Sequence, residues 1–156
     1  MAVLALATNE KTEGYRGLPT NDHGKFRLQY FSLPAVAVAG DANTTIDLCD
    51  IPPGRTRILP CMSRISTSAF GAGRTLDVGH RSYQARDAEA GDPEAEDADA
   101  LIDGMDVSAA VNAAAFSTAL KFDIYSKQEV TLFATVLGGT IPVGATINGF
   151  VAYIYE

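Results

Sequence analysis

Three times over in the C-terminal third of the chain, apolar and polar residues alternate with period two, and this limits the folds open to it. Phe122 and Ile124, then Val130, Leu132, Ala134 and Val136, then Ile147, Gly149, Val151, Tyr153 and Tyr155 each mark one face of a strand. Between them stand Ser126-Lys127-Gln128 and the run from Leu137 to Gly144, rich in glycine and carrying Pro142, which read as turns. These are consecutive antiparallel strands. In the last of them Phe150, Ala152 and Ile154 lie opposite Val151 and Tyr153, so both faces are apolar and both should be covered, the second by another subunit.

The same alternation appears upstream. Phe26, Leu28 and Tyr30 oppose Lys25, Arg27 and Gln29, the pattern of a half-buried strand, and Ile46 and Leu48 oppose Thr45 and Asp47. Next come the turn Asp50-Ile51-Pro52-Pro53-Gly54 and a β-branched and apolar run from Thr56 to Thr67, broken by Pro60, which implies two or three more strands. Thr75-Leu76-Asp77-Val78 alternates after the loop Gly71-Ala72-Gly73-Arg74, and Gly79 interrupts it. The Ala-rich segment Asp106 to Leu120 is different: Val107, Val111, Phe116 and Leu120 lie near helical spacing, so it reads as a short helix or as irregular chain. No strand–helix alternation occurs, which removes doubly wound and α/β-barrel folds. The expected architecture is all-β, seven to nine short strands in an antiparallel β-sandwich or jelly roll. A chain of 156 residues can bury the core of one such domain without disulfide or metal.

Two segments stand outside this pattern. Residues 1–24 read as an extended N-terminal arm preceding a domain over 25–156; from Thr8 to Gly24 the large apolar side chains are Tyr15 and Leu18, so a partner is expected to order it. Between Asp87 and Asp106 lie nine of the 19 acidic residues, with no Lys or Arg among them. The stretch from Ala85 to Ala100 also holds Gly91 and Pro93, which predicts a mobile acidic excursion near 85–106. An EF-hand pattern laid on Asp97-Ala98-Asp99-Ala100-Leu101-Ile102-Asp103-Gly104 fails: Leu101 replaces a carboxylate and Ile102 the required glycine.

Little in the chain announces chemistry. The net charge of −7 argues against binding the phosphate backbone of nucleic acid. No apolar run approaches the roughly 18 residues of a membrane span. The opening Met1 to Ala7 has neither the basic flank nor the length of a signal peptide, so the chain is expected to start inside a cell. His23 and His80 accompany no nucleophile motif and read as surface histidines. Cys49 and Cys61 lack metal-ligand spacing and read as buried thiols, although a hairpin at the Pro52-Pro53 turn would bring them near each other. Gly138-Gly139 lacks the Lys-Ser/Thr of a phosphate loop, and Tyr83 with Tyr15 is the most the sequence offers as an aromatic platform for sugars. The expectation is a non-enzyme with no catalytic, cofactor-binding or metal-binding residues.

Four runs carry a resemblance: Thr45-Ile46-Asp47-Leu48-Cys49-Asp50-Ile51-Pro52-Pro53-Gly54-Arg55-Thr56-Arg57-Ile58-Leu59-Pro60, Gly73-Arg74-Thr75-Leu76-Asp77-Val78-Gly79, Ala100-Leu101-Ile102-Asp103-Gly104-Met105-Asp106-Val107, and Gly138-Gly139-Thr140-Ile141-Pro142-Val143-Gly144-Ala145-Thr146-Ile147. Over residues 25–156 the chain resembles small structural proteins of tailed bacteriophages, in particular capsid decoration (cement) proteins. The resemblance implies a β-sandwich or jelly-roll fold, a homotrimer, the major capsid protein as partner, and a place on the outer surface of a virion assembled in the host cytoplasm. It also admits a tail or head-fibre protein with a trimeric β fold.

Overall fold

The computed structural model describes residues 5–7, 25–86 and 93–155. Among them it contains eleven strands and no helix: β1 (Ala5–Ala7), β2 (Lys25–Leu33), β3 (Thr45–Ile51), β4 (Gly54–Ile58), β5 (Arg64–Thr67), β6 (Thr75–His80), β7 (Asp97–Asp106), β8 (Val111–Ala115), β9 (Phe122–Ser126), β10 (Val130–Leu137) and β11 (Ile147–Tyr155). Two sheets pack face to face as a β-sandwich, the class the alternation predicts.

The first sheet runs β1-β3-β10-β6-β7, antiparallel except for the parallel pairing of β1 with β3. The second is built on β11. Along one edge β11 pairs with β2 over nine consecutive residues, from Ile147↔Leu33 to Tyr155↔Lys25. Its other edge is shared, β5 taking Ile147–Phe150 and β4 taking Tyr153–Tyr155, with β8 outside β5 and β9 outside β4. Leu59, Pro60 and their neighbours bridge the two halves, where Met62 and Ser63 both donate backbone N–H groups to the Leu59 carbonyl.

The core is the inward set of both sheets. Ile46, Leu48, Leu76, Val78, Leu132, Ala134 and Val136 from the first meet Phe31, Ile58, Ile65, Ile124, Ile147, Val151 and Tyr153 from the second. Phe70, Val107 and Phe116 close one side, and the Phe31 and Phe116 rings lie 6.4 Å apart, tilted by 52°.

Several sequence expectations are corrected by this arrangement. The turn at Pro52-Pro53 makes no hairpin; it carries the chain from β3 in one sheet to β4 in the other. Gly54, at φ +115°, takes a conformation that a Cβ would strain, and the Tyr155 hydroxyl donates to the Pro53 carbonyl beside it at 3.0 Å. Cys49 is therefore buried in β3, whereas Cys61 is half-exposed in the turn after β4, and the two form no disulfide. Asp106 to Leu120 holds no helix: Val111–Ala115 is strand β8, paired with β5, and a register shift that sets three steps of β8 against two of β5 lets both Val111 and Ala114 pack on the core.

The acidic excursion is also shorter than expected. Residues 87–92 lie outside the described residues, but Asp97–Asp106 is the ten-residue strand β7, and Tyr83 and Glu94 form an antiparallel bridge before it. Leu101 and Ile102 anchor the strand in the core, and Asp77 Oδ1 accepts the Gly104 N–H at 2.7 Å. Two buried apolar side chains outweigh the acidic composition around them.

Candidate docking surface

The parity of β2 places the surface. Phe31 and Leu33 are buried, so the odd positions face the core, and Phe26, Leu28 and Tyr30 point outward at 49, 38 and 57% exposure. The alternation of this strand is as expected, but its polarity is inverted: Arg27 and Gln29, not the apolar trio, share the half-buried face.

The outward residues of β2 continue across β11. Phe26 sits opposite Ile154, Leu28 opposite Ala152 and Tyr30 opposite Phe150, whose ring lies 5.7 Å from that of Tyr30. The second face of β11 thus contributes Phe150 and Ile154, half-exposed, to an apolar patch that no described residue covers. Beyond β11 the patch becomes cationic. Arg55 and Arg57 face outward on β4 and Arg64 on β5; Arg57 pairs with Asp123 at 2.9 Å, and Lys121 reaches the same carboxylate at 2.8 Å. Arg64 Nη1 donates to the Cys61 and Ser63 carbonyls at 2.6 and 2.9 Å, which holds its guanidinium against the sheet. A cavity of about 390 Å³ opens here between Tyr30, Phe150, Arg64, Asn148 and Ser66.

Lys121, and then Arg57, hold the Asp123 carboxyl below its ordinary value of 3.8. A lowered folded-state pKa contributes stability that is fully present above the ordinary value and lost as pH falls through the folded one. Because the group is well exposed, solvent screens most of the attraction. Asp123→Asn is expected to cost at most about 1 kcal/mol at pH 7, in urea unfolding, and the gap to the parent protein should close as the pH drops below 3.8.

The outer face of the other sheet is of opposite character. Asp47, Asp50, Asp77, Thr131 and Thr135 project there, and the Arg81 guanidinium lies 3.9 Å from the centre of the Phe133 ring. Arg81 also binds Asp47 at 3.0 Å and Glu96 at 3.1 Å, so that Phe133, though on the outer face, is 1% exposed.

Among the described residues, none of those weighed for chemistry forms a reactive constellation. His80 is not a surface residue: it is 6% exposed, its ring packed 5.3 Å from Tyr83 and 5.7 Å from Phe122, with Nδ1 3.1 Å from the Arg81 carbonyl. Tyr83 is itself buried and offers no platform, and His23, Tyr15 and Leu18 lie outside the described residues. Among the described residues no group of three or more His, Cys, Asp or Glu could hold a metal ion, and no helix is long and apolar enough to cross a membrane. The β11 part of this surface was expected from its second apolar face, but the β2 part was not; the signal for it was the shared parity of Phe31 and Leu33 with Arg27.

The fold and this surface define a two-sheet β-sandwich with one covered polar face and one open apolar and basic face. No protein-family model and no curated protein matches the sequence. Two solved structures share the fold over nearly the whole of both chains. One is a chain of the Ralstonia phage GP4 capsid, with a TM-score of 0.62 and 17% identity over 98% of this chain and 99% of that one. The other is a chain of the cyanophage Pam1 capsid asymmetric unit, with a TM-score of 0.55 and 17% identity over 96% of this chain and 98% of that one.

Proposed function

We propose that the protein is a structural component of a tailed-phage virion, one that decorates the outer surface of the capsid and stabilises it by bridging major capsid protein subunits as a homotrimer. The observation that carries this reading is the end-to-end likeness of its fold to chains of two phage capsids, with neither chain extending far beyond the other. The local resemblance of residues 25–156 to decoration proteins points the same way. So does the open face of Phe26, Leu28, Tyr30 and Phe150, since a monomer in water rarely leaves such a patch uncovered.

In this reading the arm, expected over residues 1–24, begins after Ala5–Ala7, which pair with β3, and Tyr15 and Leu18 are its anchors on a neighbouring shell subunit. The sandwich supplies rigidity and the arm supplies reach.

The test uses heads assembled without the protein. Adding the purified full chain is expected to give saturable binding to the outer shell and to raise the temperature at which the heads release DNA. Heads that bind none of it, or that bind it at the tail vertex alone, would overturn decoration in favour of a tail or fibre role.

A further inference from the structure

We propose that the outer face of the six-stranded sheet receives the acidic strand β7 of a second copy, head to tail, so that identical contacts close a ring. That the ring has three members rests on the function proposed above; the contact itself does not.

Both halves of the contact are present on one molecule, on different sheets. Arg55, Arg57, Arg64 and Lys121 stand on the outer face of the six-stranded sheet with one described carboxylate, Asp123, among them. Asp97, Asp99 and Asp103 are exposed on β7, at the edge of the five-stranded sheet in the opposite layer. A core about 10 Å thick separates the layers, and the two charge clusters lie on different sheets, each open to another copy.

The details fit the pairing. On β7 the half-buried Ala98 and Ala100 alternate with Asp97 and Asp99, so the two carboxylates share the outward side of the strand, where both can reach the arginines of another copy. The acidic strand is crowded by itself: Asp99 is held above its ordinary value by its hydrogen bond to Asp97 and by repulsion from Asp97 and Asp103. An arriving guanidinium relieves that crowding. The contact joins two different surfaces, and such head-to-tail contacts form rings when the rotation closes.

Sedimentation velocity on the purified full chain at low ionic strength tests this. The parent protein is expected to run as one discrete assembly larger than a monomer. Asp97→Lys with Asp99→Lys should raise its dissociation constant by about tenfold or more, and Arg55→Glu should weaken it likewise. Joining all three substitutions in one chain reverses the charge on both sides and should restore assembly. These positions are exposed, and an unchanged melting temperature for each variant shows that it folds. A monomeric parent, an unaffected Asp97→Lys/Asp99→Lys variant, or a triple variant that stays apart would overturn the contact. A monomer that still decorates heads overturns this inference and the trimer with it but leaves decoration standing, whereas a ring that ignores heads overturns decoration and leaves the contact.

Discussion

Gly79→Ala is expected to destabilise the protein by about 3 kcal/mol, at the upper end of what overpacking costs, because the neighbours that would have to give way are backbone. A Cβ on Gly79 would overlap the Asp97 carbonyl oxygen and come within 2.8 Å of Ala98 Cα. The reason lies in the β6–β7 ladder. Val78 pairs with Ile102 and His80 with Asp97, so two steps along β6 correspond to five along β7, and the surplus of β7 passes directly over Gly79. The expected loss corresponds to a fall in melting temperature of roughly 6–12 °C for a chain of this size. Amide exchange should quicken first in β7. Gly73→Ala is the control: its Cβ meets nothing within 4 Å, and the φ of +71° alone should cost about 1 kcal/mol. Equal losses at both sites would show that β7 does not cross Gly79 as described.

Phe31→Ala should cost about 3–5 kcal/mol, a large share of the stability of an ordinary domain. The ring is 2% exposed, packs against Phe116, and lies on the face of Gly149, its partner across the β2–β11 ladder. Removing it opens a cavity towards one end of the nine-residue β2–β11 pairing and strips cover from the Gly149 backbone. Phe26→Ala, five residues earlier on the same strand, should change stability by about 0.5 kcal/mol or less, because that ring is 49% exposed. Urea unfolding of the two variants therefore reads the parity of β2 directly. A large loss at Phe26 with a small one at Phe31 would put the apolar trio inside.

That parity marks the limit of what the sequence made legible. Period-two alternation identifies β2, β3, β6, β9, β10 and β11, because a sheet with one face on a core imposes that pattern on any chain. It does not say which face is inside when both carry apolar residues. In β2 the trio Phe26, Leu28 and Tyr30 is longer and more conspicuous than the pair Phe31 and Leu33, yet the pair is buried. The choice is made by register against β11, a non-local fact. β7 escaped for a related reason: Asp97, Asp99, Asp103 and Asp106 dominate its composition, while Leu101 and Ile102, two adjacent residues, do the anchoring. β8 escaped because Ala at successive positions has no marked period, so pairing with β5 decides the conformation. His80 looked exposed beside Arg81 and Gly79; cover from Tyr83 and Phe122, three and forty-two residues away, cannot be read locally. The docking surface was half legible. Its apolar β11 component was visible as Phe150 and Ile154, and its β2 component was assigned to the core.

The place of β11 has a bearing on how copies come into being. It follows every other described strand in the chain, yet it occupies the middle of its sheet, with β2 on one edge and β4 and β5 on the other. During synthesis those three strands must wait, with backbone groups unpaired, for a segment made about a hundred residues or more after β2 and roughly eighty after β5. A ribosome-bound chain is thus an open receptor for the β11 of any finished neighbour. Where many copies are made at once from one message, strand exchange between nascent and completed chains becomes a competing route, and the yield of correctly closed monomers should fall as expression rate rises.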